Sequence, residues 1–215
     1  MRKPIQHAVV CLAVLLSACS TAPVGPDLAA LTAEIVRTSF RDEGMAKVNR
    51  LQQDEANRAC SEADIAGQPV DAKVGAAIEA ASMKAIARPS DGKYLGDWKE
   101  GERIAQSGRG LTWTDSPTEP NGGNCYNCHQ ISKAELSYGT LGPSLLQYGR
   151  LRGITNPTSP EAQAMVSYTW GKLWNSRASN ACSQMPRFGH NGILTEKQIQ
   201  HVMALLLDPK SPVNQ

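Results

Sequence analysis

Cys125-Tyr126-Asn127-Cys128-His129 brings two thiols and an imidazole together within five residues. The spacing is that of covalent c-type haem attachment. Each thiol can add across a vinyl group to form a thioether, and the histidine that follows can swing under the ring to offer a nitrogen to the iron. Two plainer uses compete: a redox-active C-x-x-C pair, or half of a zinc site with a chance histidine. Zinc would want a second Cys/His pair at ligand spacing. The chain has no second C-x-x-C, and His7, His190 and His201 stand apart from one another. One covalent haem c, held by Cys125 and Cys128 with His129 on the iron, is the expected cofactor.

The other face of the iron decides the chemistry. A closed sixth position suits electron transfer, and an open one suits small-molecule binding. Met165, Met185, Met203, His190 and His201 are the candidates. Met165 and Met203 fall on apolar faces of expected helices, where packing is the ordinary use of methionine. His201 lies towards the polar side of the last helix and reads as a surface residue. Met185 sits in an irregular run, Ser183-Gln184-Met185-Pro186-Arg187-Phe188-Gly189, where Pro186 pins the backbone. It is the expected ligand, with His190 as its competitor. A thioether opposite an imidazole raises the reduction potential, and exclusion of water raises it further.

The remaining cysteines place the chain in the cell. Of the six, two belong to the motif, Cys11 lies in an N-terminal apolar run, and Cys19 follows Leu16-Ser17-Ala18. Residues 1–18 read as an export signal: Arg2 and Lys3 begin it, and the run Ala8 to Leu16 is well short of the ~20 residues that span a bilayer. Its end resembles a bacterial lipoprotein signal, with Cys19 lipidated; simple cleavage to a soluble periplasmic protein is the alternative. Leu16 suits simple cleavage poorly, because a small residue is wanted there. Cys60 and Cys182 remain, and an oxidising compartment favours a bridge between them over two buried thiols. The expected location is therefore the periplasm, with the membrane reached only through the N-terminal lipid.

The formal charge of +2 falls towards neutral once Arg2 and Lys3 leave, which argues against nucleic acid as a partner. Aromatic residues make up only 5% of the 215, so a porphyrin could supply apolar volume that side chains do not. No alternation typical of strands and no internal repeat is visible, and the expected class is all-α.

Four segments follow: a lipoprotein-type signal over 1–18, a tether over 19–26, a helical extension over 27–92, and a haem domain over 93–215. In the extension, Asp27 caps a helix with Leu28, Leu31 and Ile35 on one face. A second amphipathic stretch is expected through Met45, Val48 and Leu51, and a third helix through Val74, Ile78, Ala81 and Ala85. The extension is rich in alanine and poor in large apolar residues, so it should need the haem domain or a partner chain to pack on. Pro89-Ser90-Asp91-Gly92 is a turn and marks the boundary. In the haem domain, Asp97 caps a helix bearing Trp98, Gly101, Ile104 and Ala105. Gly101 in mid-helix costs ~1 kcal/mol against alanine, which suggests a close helix–helix approach. The polar run 116–124 leads into the motif, and Gly142-Pro143 is placed for a turn beside His129. A helix starts at Ser159-Pro160 and runs through Met165, Tyr168, Trp170 and Trp174. The last begins with the capping box Thr195 to Gln198, carries Ile199, Val202, Met203 and Leu206, and stops before Pro209.

This order of an early helix, motif, Gly-Pro turn, loop methionine and final helix is similar to class I cytochromes c. The chain more specifically resembles the SoxX family, the small cytochrome subunits of the SoxAX complexes of thiosulfate oxidation. The resemblance is carried by Tyr94 through Lys99, Gly122 through Gln130, Tyr138 through Leu145, and above all Ala181-Cys182-Ser183-Gln184-Met185-Pro186-Arg187-Phe188-Gly189-His190-Asn191-Gly192.

It implies a heterodimer with a SoxA-like catalytic subunit, dihaem or monohaem, acting as an L-cysteine S-thiosulfotransferase. That subunit couples thiosulfate oxidatively to a cysteine of a SoxYZ-like carrier protein. The present chain takes up the electrons and passes them to a soluble cytochrome c, with no catalytic residues of its own. Carried over by position, Cys125 and Cys128 hold the haem, His129 and Met185 ligate the iron, and the Pro143 carbonyl orients the His129 N–H. Cys19 is a departure, since an ordinary export signal is common in that family, and it would place the complex on a membrane. The alternative function is a stand-alone, membrane-tethered periplasmic electron-carrier cytochrome c.

Overall fold

The structure is a computed structural model that describes residues 25–215. The expected export signal, Cys11, the lipidation site Cys19 and most of the tether lie outside the described residues. The chain divides into a first unit ending at Arg41 and a second, Asp42–Gln215. Within the first unit, helix α1 covers Leu28–Ser39, and the Asp27 carboxylate accepts the N–H groups of Ala29 and Ala30, the cap read from the sequence. Leu28, Leu31 and Ile35 line one face of α1, and all three are exposed.

The second unit is built from helices and short 3-10 turns. Among the described residues the extended pairing is a single isolated bridge, Glu43 with Ala46. The all-α class expected from the sequence is what is found. No helix of the described residues is long and apolar enough to cross a membrane.

Residues 42–92 depart most from expectation. The Met45, Val48, Leu51 stretch is not an amphipathic helix: only Val48–Leu51 turn, as a 3-10 segment, and Leu51 is exposed. The helix that leads to Cys60 starts later. Asp54 caps it, accepting the Asn57 N–H at 2.7 Å, and α2 runs Glu55–Ile65 without burying one residue. Helix α3, Ala72–Lys84, lies where the spacing predicts, but it buries a different face. Gly75 and Ser82 point inward while Val74 is exposed, because the neighbour of α3 is the polar 3-10 turn Ser176–Ala178 and not an apolar sheet of side chains.

The core lies where α4 (Trp98–Gln106) crosses α6 (Glu196–Leu207). Asp97 caps α4, and the Thr195–Gln198 capping box opens α6, both as read from the sequence. A Cβ on Gly101 would overlap the His201 carbonyl oxygen, which is the close approach the mid-helix glycine predicts. His201 is half-buried in this contact, where its Nδ1 accepts the Asp97 N–H at 2.8 Å. It is a structural residue of the crossing and not the surface histidine the helical pattern suggests. Met203, Leu205 and Leu207 fill the interior beneath, all essentially inaccessible.

The expected helix after Pro160 begins as a 3-10 turn and becomes α5 over Gln163–Trp174. Trp170 of α5 is buried, and its indole N–H donates to the Ala87 carbonyl at 2.7 Å, fastening the residues after α3 to the core. Tyr94 meets Trp170 edge-on, and Trp174 stacks on Trp170.

Candidate functional site

The motif is a single 3-10 turn, Cys125–Asn127, entered through Asn124 in the left-handed region (φ 49°), which asparagine tolerates better than most residues. The Cys125 carbonyl accepts both the Cys128 N–H at 3.1 Å and the His129 N–H at 2.9 Å. Three features hold this turn. Tyr126 sends its ring into the core. The strand of chain before it is tied to α4, with Gly123 N–H on the Ile104 carbonyl and Asn124 N–H on the Ser107 carbonyl. The loop ahead of it is organised by Arg109, whose guanidinium donates to the carbonyls of Ser116, Glu119 and Pro120.

The segment after the motif folds back along it. Gly139 N–H donates to the Tyr126 carbonyl, Gly142 N–H to Cys128 and Leu145 N–H to Gln130, at 2.7, 2.8 and 2.7 Å. This register lays Gly142 against the imidazole of His129, so closely that a Cβ there would overlap the ring. It also sets the Pro143 carbonyl 2.7 Å from His129 Nδ1. A carbonyl only accepts, so Nδ1 carries the hydrogen and the free lone pair is on Nε2. That is the tautomer a metal-binding histidine needs, with its second nitrogen oriented by a backbone oxygen.

Cys125 and Cys128 are free thiols. Burial pushes the Cys125 thiol up to about 12, and the neighbouring Cys128 adds to the rise. A redox C-x-x-C pair relies on the opposite shift, towards the thiolate. Among the described residues no three His, Cys, Asp or Glu side chains converge to hold a metal ion. The donor set at the motif is therefore two unbridged cysteine sulfurs and one oriented imidazole. Such a set fits a haem c, whose own nitrogens complete the coordination of the iron.

Met185 is half-buried and packs on the same core cluster as Cys125. Its loop is fastened from several directions. Ser176 Oγ donates to the Met185 carbonyl at 2.6 Å, and His190 N–H donates to the Trp174 carbonyl at 2.9 Å. Gly189 lies flat on the Trp174 ring, with no room for a side chain, and Phe188 is buried. The competing ligands separate clearly. Met203 is core, Met165 packs at the core edge, His201 is occupied by Asp97, and His190 is exposed. What burial the His190 ring has, with Arg187 beside it, lowers its pKa.

Cys60 and Cys182 form a disulfide, as expected, with Cα atoms 5.6 Å apart. It joins α2 to the start of the Met185 loop. Beside it lie residues that the sequence reading did not single out. Asp54 accepts from Arg177 Nη1 at 3.0 Å and from Arg187 Nη2 at 2.7 Å, and Arg177 Nη2 also reaches the Asn57 side chain. Partial burial works to raise the Asp54 carboxyl, but the Asn57 N–H and the two guanidinium groups outweigh it and bring it down to about 2. Glu79 accepts the Ala181 N–H. A cleft of about 600 Å³ opens here, lined by Asn57, Cys60, Arg177, Cys182, Met185 and Arg187 among others, whereas Cys125, Cys128 and His129 do not line it. The signal that could have found the cluster is a capping aspartate at 54 ahead of a polar helix, together with an arginine two residues beyond the loop methionine.

No family model matches the chain. It is 35% identical over 167 residues to an uncharacterized lipoprotein of Aquifex aeolicus (strain VF5), an alignment covering 75% of this chain and 73% of that protein. The chain belongs to the family of that lipoprotein.

Proposed function

We propose that the chain is a monohaem c-type cytochrome, lipid-anchored outside the cytoplasm through Cys19 and facing the periplasm, that transfers electrons without catalytic residues of its own. The observation that carries this reading is the motif turn: two unbridged cysteines, then an imidazole whose Nδ1–H is fixed on the Pro143 carbonyl at 2.7 Å. Bound there, a haem would hold and release one electron at a time. Cys125 and Cys128 would hold the group through their sulfurs, and His129 Nε2 and the Met185 sulfur would be the protein's ligands to its iron. Gly142 leaves room for the imidazole, and the Pro143 carbonyl keeps its ring from turning. The relationship to a lipoprotein supports the anchor at Cys19.

The finer reading is that of the SoxX-like subunit. Oxidative coupling of thiosulfate to a carrier cysteine releases two electrons, and a second haem close to the catalytic one gives the first electron somewhere to go. A SoxA-like subunit would supply the catalytic haem, a SoxYZ-like protein the cysteine, and a soluble cytochrome c the final acceptor. One observation favours the alternative of a stand-alone tethered carrier. Residues 42–92, the extension that would otherwise suit a partner, already pack within the same unit as the motif.

The test is expression in a host that matures c-type cytochromes. The denatured chain should retain one haem, and Cys125→Ala or Cys128→Ala should reduce or abolish covalent retention. Carbon monoxide should bind the reduced Met185→Ala variant readily and the unaltered protein poorly. A chain that emerges without covalent haem sinks the reading. Native purification then separates the two finer forms: a second haem subunit in equal amount, with haem reduction that requires thiosulfate and a carrier protein, or a chain that is alone and reduced by general donors.

A further inference from the structure

Asp54 stands 131 positions before Met185 in the sequence, yet it holds both sides of the Met185 loop. On one side its carboxylate pairs with Arg187, two residues beyond Met185, whose side chain is only 17% exposed. On the other it pairs with Arg177, whose side chain is 8% exposed and which is next in sequence to Ser176, the residue whose hydroxyl grips the Met185 carbonyl. The two guanidinium groups therefore converge on one acid across the root of the loop. Without that charge, two mostly buried cations would face each other over the cleft. Removal of one partner from such a pair is costly because the remaining charges stay buried and unpaired.

We propose that Asp54 is a positioning residue for Met185, acting through Arg187 and Arg177 to hold the 183–191 loop in the arrangement that presents the thioether. The proposal rests on the cytochrome reading for its consequence at the iron, but the hold on the loop is a property of the chain itself. It gives α2 a role: the helix buries nothing, yet it carries the acid at its N-cap and Cys60 in its second turn, and both reach the same loop.

Asp54 also caps α2, and the test must spare that function. Asp54→Asn does so, because asparagine caps as well as aspartate while lacking the charge. Two measurements are made on the purified protein. Backbone hydrogen exchange in residues 183–191 should quicken by about tenfold, the change that losing one charge-assisted hydrogen bond makes in an opening equilibrium. Exchange in α4 and α6 should stay at the level of the unaltered protein. Carbon monoxide binding to the reduced haem should quicken by a similar factor, while Met185→Ala sets the upper limit. Arg187→Gln should reproduce the effect, and combining it with Asp54→Asn should give less than the sum of the two.

Unchanged exchange in 183–191, or an increase spread equally over α4 and α6, overturns the proposal. If the unaltered protein binds carbon monoxide as readily as Met185→Ala, then Met185 is not the iron ligand and the cytochrome reading fails at that point. The exchange comparison still decides whether Asp54 holds the loop.

Discussion

Gly142 is where one missing atom sets the geometry of the site. Its N–H is committed to the Cys128 carbonyl, and the His129 ring occupies the space a Cβ would need. Gly142→Ala cannot be absorbed by a flexible side chain, since the ring is held at Nδ1 by Pro143. The variant should lose about 1–3 kcal/mol of stability, the usual cost of overpacking. If the chain holds the proposed haem, the variant should also show weaker binding of His129 to the iron, seen as altered absorption spectra. An alanine variant with unaltered stability and spectra would mean the His129 ring sits elsewhere in solution. At this scale two contacts were legible: the Cys60–Cys182 bridge from cysteine count and compartment, and the Pro143 carbonyl on His129 from resemblance. Asp54, Arg177 and Ser176 were not. The pairing of Asp54 with Arg177 spans more than a hundred positions, Ser176 reaches a carbonyl nine residues on, and an Asp, an Arg or a Ser has too many ordinary uses for its identity to announce a partner.

Several elements were readable where an end was chemically marked. Asp27, Asp97 and Thr195 each cap the helix expected after them, and Asp71 caps α3, which apolar spacing alone announces. Periodicity misled in two places. Met45, Val48 and Leu51 have helical spacing, but Gly44 turns the chain with a positive φ of 50° and the run is too short to nucleate before Gln52 leaves the turn. Helix α2 has no apolar period to find, because it is fastened by a disulfide and ion pairs instead of by burial. The crossing of α4 and α6 offers the sharpest test at this scale. Gly101→Ala gains ~1 kcal/mol of helix propensity but forces a Cβ into the His201 carbonyl and the Leu205 side chain. Overpacking against backbone, at about 1–3 kcal/mol, should win. Urea denaturation should show a lower midpoint with an unchanged slope, and a stabilised variant would rule out the close approach.

At the scale of the molecule, the second unit holds two kinds of structure. Residues around α4, α5 and α6 share one apolar core that includes Ile104, Trp170 and Met203. Helix α2 has no buried residue and is held by the Cys60–Cys182 bridge and by Asp54 and Asn57 on the two arginines. The sequence could supply the bridge but not this division, since an alanine-rich helix looks the same whether it packs or is stapled. The consequence can be measured. The bridge spans 122 positions, and on the chain-entropy account a closed loop of that size stabilises by about 2–5 kcal/mol. Replacing both cysteines by serine should cost a sum in that range, but unevenly. Because α2 lacks apolar anchorage, it should open first, exposing residues 53–70 to protease while α4 and α6 keep their slow hydrogen exchange. If the protein instead unfolded as one unit, with no early cleavage in that stretch, α2 would have to be held by burial that its sequence and exposure do not provide.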